Sequence, residues 1–305
     1  MATIREIKRR IRSVKNIAQV TRALEAVSAS KVRKAQAQVL ATRPYAKQAW
    51  EVLTSLAQQA GAGPTLHPLL ASRPVHNVAL IVISGDRGLC GAYNINIVRM
   101  ALEFVREHRL PVQMITVGRK GRELLVRSGQ SVVAEFSNLS AAPTSLEISP
   151  ISRVAVDDFL NAKVDEVYVA YTDFINTIQQ KPVIQRVLPL MVEEGEARMM
   201  SEYTSGAQAG RLNRYEYLYE PSARGLLDNV IPRFVAIQVY QAVLESLASE
   251  HSARMVAMRN ATDSARTLVG DLTLTYNKAR QQSITGELLD IAGGAEALRQ
   301  VVSRA

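Results

Sequence analysis

The chain has 305 residues, enough for about two ordinary domains. An apolar share of 47% is typical of globular proteins, so the composition excludes a chain that is disordered throughout. Cys90 is the single cysteine, which excludes an internal disulfide and any metal site built from several cysteines.

The positive charge is concentrated at the start of the chain. Residues 1–60 contain 12 basic and 3 acidic side chains, so the whole formal excess of +9 lies there. Such a segment is typical of a surface that docks onto an acidic partner, and the alternative is a solvated helix face.

Neither a membrane span nor a secretory signal is recognisable. No stretch reaches the roughly 18 apolar residues that a spanning helix needs, and the N-terminus has no apolar core followed by small residues. An arginine-rich amphipathic start also occurs in organellar transit peptides. We favour a structural helix, because the same pattern continues unbroken to about residue 58.

The first predicted element is a helix from residue 3 to about residue 58. Its apolar residues recur at steps of three and four: Ile4, Ile7, Ile11, Val14, Ile17, Val20, Leu24 and Val27. The steps are close to a coiled-coil heptad, but a doubled step of three around Ile17 predicts a local disturbance of the supercoil. Pro44 is compatible with a kink near Arg43.

Residues 75–220 alternate between strand and helix patterns. Strands are predicted at 78–84, 112–117, 132–136 and 166–171, and helices at 94–107, 119–127 and 151–161. Extended stretches follow through residues 182–192, and residues 193–214 have the composition of a loop. This alternation predicts a parallel, Rossmann-like α/β domain.

Residues 222 to about 303 form a second and longer helical pattern. One register runs through Val230, Phe234, Ile237, Gln241, Leu244, Ala248, His251, Met255, Met258, Thr262, Ala265, Val269, Leu272, Tyr276 and Ala279. A helix of this length, roughly 120 Å, must pair along its seam, and the N-terminal helix of roughly 85 Å is the obvious antiparallel partner. The longer helix should then protrude, which leaves an apolar end at residues 288–302 that needs a socket in another protein.

The sequence thus predicts a long antiparallel coiled coil of N- and C-terminal helices with an inserted α/β domain. We place the N-terminal helix at residues 1–60, the inserted domain at 75–220 and the C-terminal helix at 221–305.

Motifs for catalysis or cofactor binding are weak. The four histidines are far apart in the sequence, and no phosphate-binding loop of the G-x-x-x-x-G-K-[ST] type occurs. The turn at residues 85–91 has the spacing G-x-x-G-x-x-G, whereas a dinucleotide fingerprint has G-x-G-x-x-G. We interpret it as a structural turn, expect no cofactor, and expect His251 to be a packed seam residue.

Five segments resemble the gamma subunits of F-type ATP synthases. They are residues 4–11 (IREIKRRI), 20–31 (VTRALEAVSASK), 84–91 (SGDRGLCG), 253–263 (ARMVAMRNATD) and 276–285 (YNKARQQSIT). The resemblance covers nearly the whole chain except residues 193–214. The family often has methionine at the position of Leu24, a change that conserves volume.

The resemblance implies a non-catalytic central rotor. The coiled coil would turn inside a ring of three alpha and three beta subunits, and the α/β domain would contact epsilon and the c ring. Proton flow would drive the rotation, and the nucleotide sites would lie on alpha and beta. The implied location is the cytoplasmic face of a bacterial plasma membrane, reached only through the c ring, and redox regulation is not expected because Cys90 has no partner cysteine.

The resemblance also implies contact residues. Those facing the alpha/beta ring are Lys8, Arg9, Arg10, Leu24, Glu25, Arg254, Arg280, Gln281 and Thr285, and those of the foot, facing the c ring or epsilon, are Tyr217 and Glu220. For the three N-terminal basic residues the alternative is an effect of bulk charge only, and for Arg280 it is a solvated arginine.

Two other classes of protein compete with this hypothesis. A basic coiled-coil protein that binds nucleic acid explains the basic helix but neither the apolar end nor the inserted domain. A nucleotide-dependent enzyme would need a cofactor site that the glycine turn does not match.

Overall fold

A computed structural model describes residues 3–59, 67–190 and 223–304. Helix α1 spans Ile4–Gln59 and helix α5 spans Ala223–Arg304. The described residues divide into two compact units, one made of residues 3–27 and 256–304 and the other of those between 28 and 255. We call them the terminal unit and the sheet unit; the three domain boundaries drawn from the sequence stay a prediction.

The sheet unit alternates strands and helices between α1 and α5. In chain order it contains a 3₁₀ turn (Pro68–Leu70), β1 (Val78–Ile83), α2 (Tyr93–His108), β2 (Val112–Val117), α3 (Arg119–Arg127), β3 (Val132–Phe136), α4 (Ser145–Leu160), β4 (Glu166–Phe174) and β5 (Gln180–Leu188). The predicted fold class, two long terminal helices around an α/β insertion, is confirmed.

The five strands form one sheet in the order β3-β2-β1-β4-β5. The first four are mutually parallel, as the strand–helix alternation predicted. Strand β5, which lies in the extended stretch whose direction the sequence did not predict, is antiparallel to β4, so the sheet is mixed at this edge. The physical reason is the five-residue connection between the two strands, which is too short for the crossover that a parallel pair requires.

Helix α4 begins six residues earlier than the sequence predicted, at Ser145 rather than residue 151. Pro150, directly before the predicted start, lies inside the helix. The Thr144 side chain accepts a hydrogen bond from the Glu147 N–H at 3.4 Å and caps the N-terminus. Ile148 in the added turn is 1% exposed, so burial helps to hold this turn in place.

Both faces of the sheet are covered by helices. One face packs against α2 and α3 through residues such as Leu80, Ile97 and Leu125. The other packs against α4 and the first half of α5 through residues such as Ile81, Phe159 and Phe234. A parallel sheet needs cover on both sides because its strands are apolar on both faces.

The two long helices run antiparallel. In the terminal unit, the Oγ1 atoms of Thr21 and Thr262 are 2.7 Å apart. In the sheet unit, Lys31 of α1 lines the same cavity as His251 of α5. A residue further along α1 therefore lies beside a residue earlier in α5, as expected for antiparallel helices.

The seam predicted for α5 is confirmed. Eight of its positions are at most 8% exposed: Phe234, Gln241, Leu244, Ala248, His251, Met258, Thr262 and Ala265.

The seam predicted for α1 was wrong at Ile17, Val20 and Val27, while Leu24 is half-buried. Ile17, Val20 and Val27 are 52, 59 and 52% exposed, whereas Thr21 and Ser28 are 9 and 3% exposed. The line of buried and half-buried residues keeps strict heptad steps, with residues 7, 21 and 28 buried and residue 14 half-buried, and so needs no disturbance at Ile17. The apolar pattern misled because the seam uses hydroxyl side chains at Thr21 and Ser28, next to exposed aliphatic side chains at Val20 and Val27.

Candidate functional site

The glycine-rich turn after β1 is held by hydrogen bonds within the sheet unit. The Asn94 Oδ1 accepts from the Gly85 N–H at 2.8 Å. The Asp86 carboxylate accepts from the backbone N–H groups of Arg119 at 3.1 Å and Asn138 at 2.8 Å. These backbone N–H groups are therefore already bonded to side chains of the protein. In a dinucleotide fingerprint, such N–H groups are free to bind the pyrophosphate.

Two glycines permit close approaches that a side chain would prevent. Gly118 has φ +98°, and a Cβ there would lie 2.2 Å from the Ser84 carbonyl oxygen. A Cβ on Gly85 would lie 2.9 Å from the Glu250 carboxylate of α5. Of the turn glycines, Gly85 thus approaches the long helix closely, whereas a Cβ on Gly88 would meet nothing within 4 Å.

The main electrostatic feature of this region is a pair of buried charges on α5. The Arg254 Nη2 lies 2.5 Å from the Glu250 Oε1, and the two side chains are 14 and 10% exposed. The same guanidinium donates to the carbonyl oxygens of Arg87 and Gly88, each at 3.3 Å. We call these contacts the arginine clasp; it joins α5 to the turn after β1.

Burial shifts the pKa values of groups around the clasp. Desolvation raises the pKa of Glu250, and the neighbouring Arg254 opposes this shift. The pKa of His251 falls to about 4, first because of desolvation and then because of the positive charges of Arg254 and Lys31. His251 is therefore neutral at physiological pH, consistent with the packed seam residue that the sequence predicted.

A second set of contacts joins α5 to β4. The Thr172 N–H donates to the Ser246 Oγ at 3.0 Å, and the Ser249 Oγ donates to the Thr172 carbonyl at 3.0 Å. We call these two bonds the serine stitch. Sequence reasoning missed Ser246, Ser249 and Glu250. The available signal was the high polar content of residues 245–252, where six of the eight residues are polar.

The contact residues implied by the resemblance lie in several places. Lys8, Arg9 and Arg10 are exposed on α1, and Arg10 forms a 3.0 Å ion pair with Glu6. Leu24 and Glu25 are half-buried on the same helix.

On α5, three of them, Arg280, Gln281 and Thr285, are exposed on its last part. Within the described residues, no hydrogen bond or ion pair joins them to Lys8, Arg9 or Arg10. Arg254 is already engaged in the clasp, and Tyr217 and Glu220 lie outside the described residues. Their roles as partner contacts stay predictions.

Comparisons with known proteins agree with this architecture. A family model described as ATP synthase matches residues 3–298. The ATP synthase gamma chain of Dehalococcoides mccartyi strain CBDB1 is 50% identical over 298 residues, which cover 98% of this chain and 100% of the relative. The gamma chain of Herpetosiphon aurantiacus is 47% identical over 309 residues, with 98% and 100% covered.

The chain belongs to the ATP synthase gamma-chain family.

Solved structures share the fold of this gamma-family chain. A chain of the Euglena gracilis mitochondrial ATP synthase, in a structure of OSCP, F1 and the c-ring, matches with a TM-score of 0.65 at 20% identity, covering 97% of this chain and 94% of that one. A chain of the Tetrahymena thermophila central stalk and c-ring structure matches with a TM-score of 0.60 at 24% identity, covering 79% and 99%.

Family membership separates the competing functional classes. Gamma chains are non-catalytic subunits of the central stalk, and the catalytic sites of the enzyme lie on beta subunits. The alternative of a basic coiled-coil protein that binds nucleic acid is not supported by these relatives. The gamma family belongs to a membrane-associated complex, while none of the described helices has a segment long and apolar enough to cross a bilayer.

Proposed function

We propose that this chain is the rotor shaft of its ATP synthase and turns inside a ring of three alpha and three beta subunits. The observation that carries the proposal is the apolar end of α5 in a chain of this family. Leu288, Leu289 and Ile291 are 62, 67 and 70% exposed there. A row of exposed aliphatic side chains needs a partner surface, and an apolar sleeve in the ring provides one.

The ring contacts we propose are asymmetric around the shaft. The basic residues Lys8 to Arg10 would face an acidic segment of a beta subunit, and Arg280, Gln281 and Thr285 would hydrogen-bond a beta loop. Leu24, Glu25 and Arg254 complete the proposed set. A rotor shifts the equilibrium of a catalytic site only if its contacts differ between the states of that site, and an asymmetric surface supplies such differences at each angle.

Torque must also pass between the sheet and the long helix within the sheet unit. The arginine clasp attaches α5 to the turn after β1, and the serine stitch attaches it to β4. The two bonds of the serine stitch are buried, whereas the clasp holds exposed carbonyl oxygens of the turn with a guanidinium that is also paired with Glu250. We propose that these contacts carry the load from the foot to the shaft.

The remaining partners we propose are epsilon and the c ring, which the foot would touch through Tyr217 and Glu220. The complex would then lie on the cytoplasmic face of a bacterial plasma membrane, with the c ring as the only link to the bilayer and protons as the driving ion.

Co-purification tests the assembly. The tagged chain is co-expressed with the alpha and beta subunits of its own organism, and we expect it to bring down a 3:3 ring with ATPase activity. Recovery of the chain alone, together with a salt-sensitive shift of random-sequence duplex DNA, would instead favour the nucleic-acid-binding class.

Torque transfer is tested with Arg254→Ala in the full complex. We expect ATP hydrolysis to continue while ATP-driven proton pumping falls several-fold, because the shaft would slip against the foot. Arg259→Ala is the matched control, since Arg259 is exposed on the same helix. Equal pumping in both variants would show that the clasp carries no load.

A further inference from the structure

The connection between β4 and β5 exposes two isoleucines at one end of the sheet unit. Five residues, 175–179 (INTIQ), join the two strands, and none of them is charged. We call them the hairpin tip. Ile175 is 48% exposed and Ile178 is 87% exposed, the highest value among the large apolar side chains of the described residues. Hairpin turns favour glycine, asparagine, aspartate and serine, so two exposed isoleucines in this one point to a partner surface.

Hydrogen bonds within the hairpin tip hold its backbone in one shape. The Asn176 Oδ1 accepts from the backbone N–H groups of Ile178 at 2.9 Å and Gln179 at 2.7 Å. The Asn176 N–H donates to the Gln179 carbonyl oxygen at 3.1 Å, and the Gln180 Nε2 donates to the Thr177 carbonyl oxygen at 2.9 Å. A turn that is ordered before binding loses little conformational freedom when a partner covers it.

The hairpin tip lies at the end of the sheet unit towards which α5 runs. The beginning of β4 pairs with the end of β5, and just after β5 the Leu190 N–H donates to the Leu69 carbonyl oxygen at 3.1 Å. The nearby His67 Nε2 is 3.5 Å from the Asp228 Oδ1, close to the start of α5. Further along β4, Thr172 is bonded to residues of α5 beyond 245 by the serine stitch. Strand β4 therefore runs in the same direction as α5, and the tip follows it.

This position favours one of the partners proposed for the rotor. The chain passes from the sheet unit into the terminal unit after Met255, at the same end as the hairpin tip. The alpha/beta ring is the partner proposed for the terminal unit, whereas epsilon and the c ring are proposed for the opposite end, where α5 begins. Asp173 and Lys181, which flank the tip as a cross-strand pair, carry opposite charges. The partner surface should therefore be apolar rather than acidic or basic.

We propose that the hairpin tip docks against the alpha/beta ring, with Ile178 entering an apolar recess on the rim of the ring. The inference rests on the proposed rotor role and adds a contact made by the sheet unit to those made by the shaft. Burial of an isoleucine side chain that is almost fully exposed changes Kd by about tenfold or more. Because the tip turns with the shaft, this contact would pass from one subunit of the ring to the next.

Photo-cross-linking in the assembled complex of this chain with alpha and beta tests the proposal. Benzoylphenylalanine replaces Ile178, and in the matched control it replaces Leu160. Leu160 is 47% exposed and ends α4 just before β4 begins, so it lies at the opposite end of the sheet. We expect cross-links to alpha or beta from position 178 and none from position 160.

Two cross-linking results would overturn the proposal. One is a complex with ATPase activity that gives no product from position 178. The other is a product with epsilon in place of alpha and beta once epsilon is added, which would make epsilon the partner. Failure to recover any ring would contradict the rotor role itself, and this proposal with it.

Ile178→Ser tests the strength of the contact. We expect the ring to leave the immobilised variant chain about tenfold faster than the unmodified chain, because changes at one interface appear mainly in the dissociation rate. Leu160→Ser is the matched control and should release the ring at the unmodified rate. Since Ile178 is exposed, its substitution should leave the urea midpoint of the free chain unchanged, which separates docking from folding. Equal release from both variants would show that Ile178 does not dock and would refute the proposal.

Discussion

Gly85 separates two groups that have to lie close together, the turn after β1 and the buried Glu250 carboxylate. We predict that Gly85→Ala lowers the free energy of unfolding by about 1–3 kcal/mol, because its Cβ would displace a carboxylate that Arg254 holds in place. Gly88→Ala is the matched control in the same turn, since a Cβ there meets nothing within 4 Å, and it should be neutral or slightly stabilising. Urea unfolding of the two variants measures the difference; equal midpoints would contradict the prediction.

His251 should make the protein less stable in acid. An unfolded histidine takes up a proton below pH 6.5, whereas the folded His251 resists it until about pH 4. The contribution of the neutral His251 to the free energy of unfolding is therefore complete above pH 6.5 and is lost as the pH falls towards 4. At pH 5 the loss is about 2 kcal/mol.

NMR titration of the histidine Cε1 protons tests this directly, with His251→Gln to assign the signal. We expect no titration of His251 above pH 5, and the loss of stability between pH 7.5 and 5 should be smaller in the variant. Glu250 shifts in the opposite sense, since its raised pKa favours protonation in the folded state, and the comparison with His251→Gln cancels its effect. A pKa of His251 near 6.5 would refute the expectation.

At the scale of elements, α1 shows why a seam read from apolar spacing alone fails. We predict that Val20→Ser changes the free energy of unfolding by less than about 0.5 kcal/mol, because Val20 is 59% exposed. Val32→Ser, the same substitution at a position 5% exposed, should cost about 2 kcal/mol. Thermal unfolding of both variants measures the two losses of stability. A larger loss in Val20→Ser than in Val32→Ser would favour the seam predicted from the sequence over the one seen in the structure.

The elements that the sequence predicted well are those with a local signal. Strands β2 and β3 and helix α3 begin and end at the predicted residues, because a proline, glycine or serine stands at both ends of each element. The direction of β5 and the partners of Glu250 depend on which faces meet in three dimensions. The glycine turn was recognised, but its neighbour on α5 was not, since contacts between residues 165 positions apart leave no periodic trace.

At the scale of the whole molecule, the basic start of α1 should act collectively. Single alanine changes at Lys8, Arg9 or Arg10 should do almost nothing, because exposed charges are screened by salt. We predict that the triple-alanine variant reduces ATP-driven proton pumping of the assembled complex in a salt-dependent manner. Normal proton pumping in the triple-alanine variant would contradict a specific electrostatic role for these three residues.

The matched control removes three charges elsewhere on α1, with alanine at Arg22, Arg33 and Lys34, all of them exposed. Fluorescence quenching of a pH-sensitive dye in inverted vesicles measures the pumping of both variants. A similar reduction in the control would show that total charge, rather than its position, matters.

The serine stitch has opposite polarity in its two bonds. At Thr172 the backbone N–H gives a hydrogen to one serine and the carbonyl receives one from another, three residues further along α5. Because both the N–H and the carbonyl of Thr172 are bonded to α5, a shift of β4 along the helix in either direction would break these hydrogen bonds. We expect such an attachment to resist displacement in either direction of rotation, as a rotor that serves both ATP synthesis and ATP hydrolysis requires.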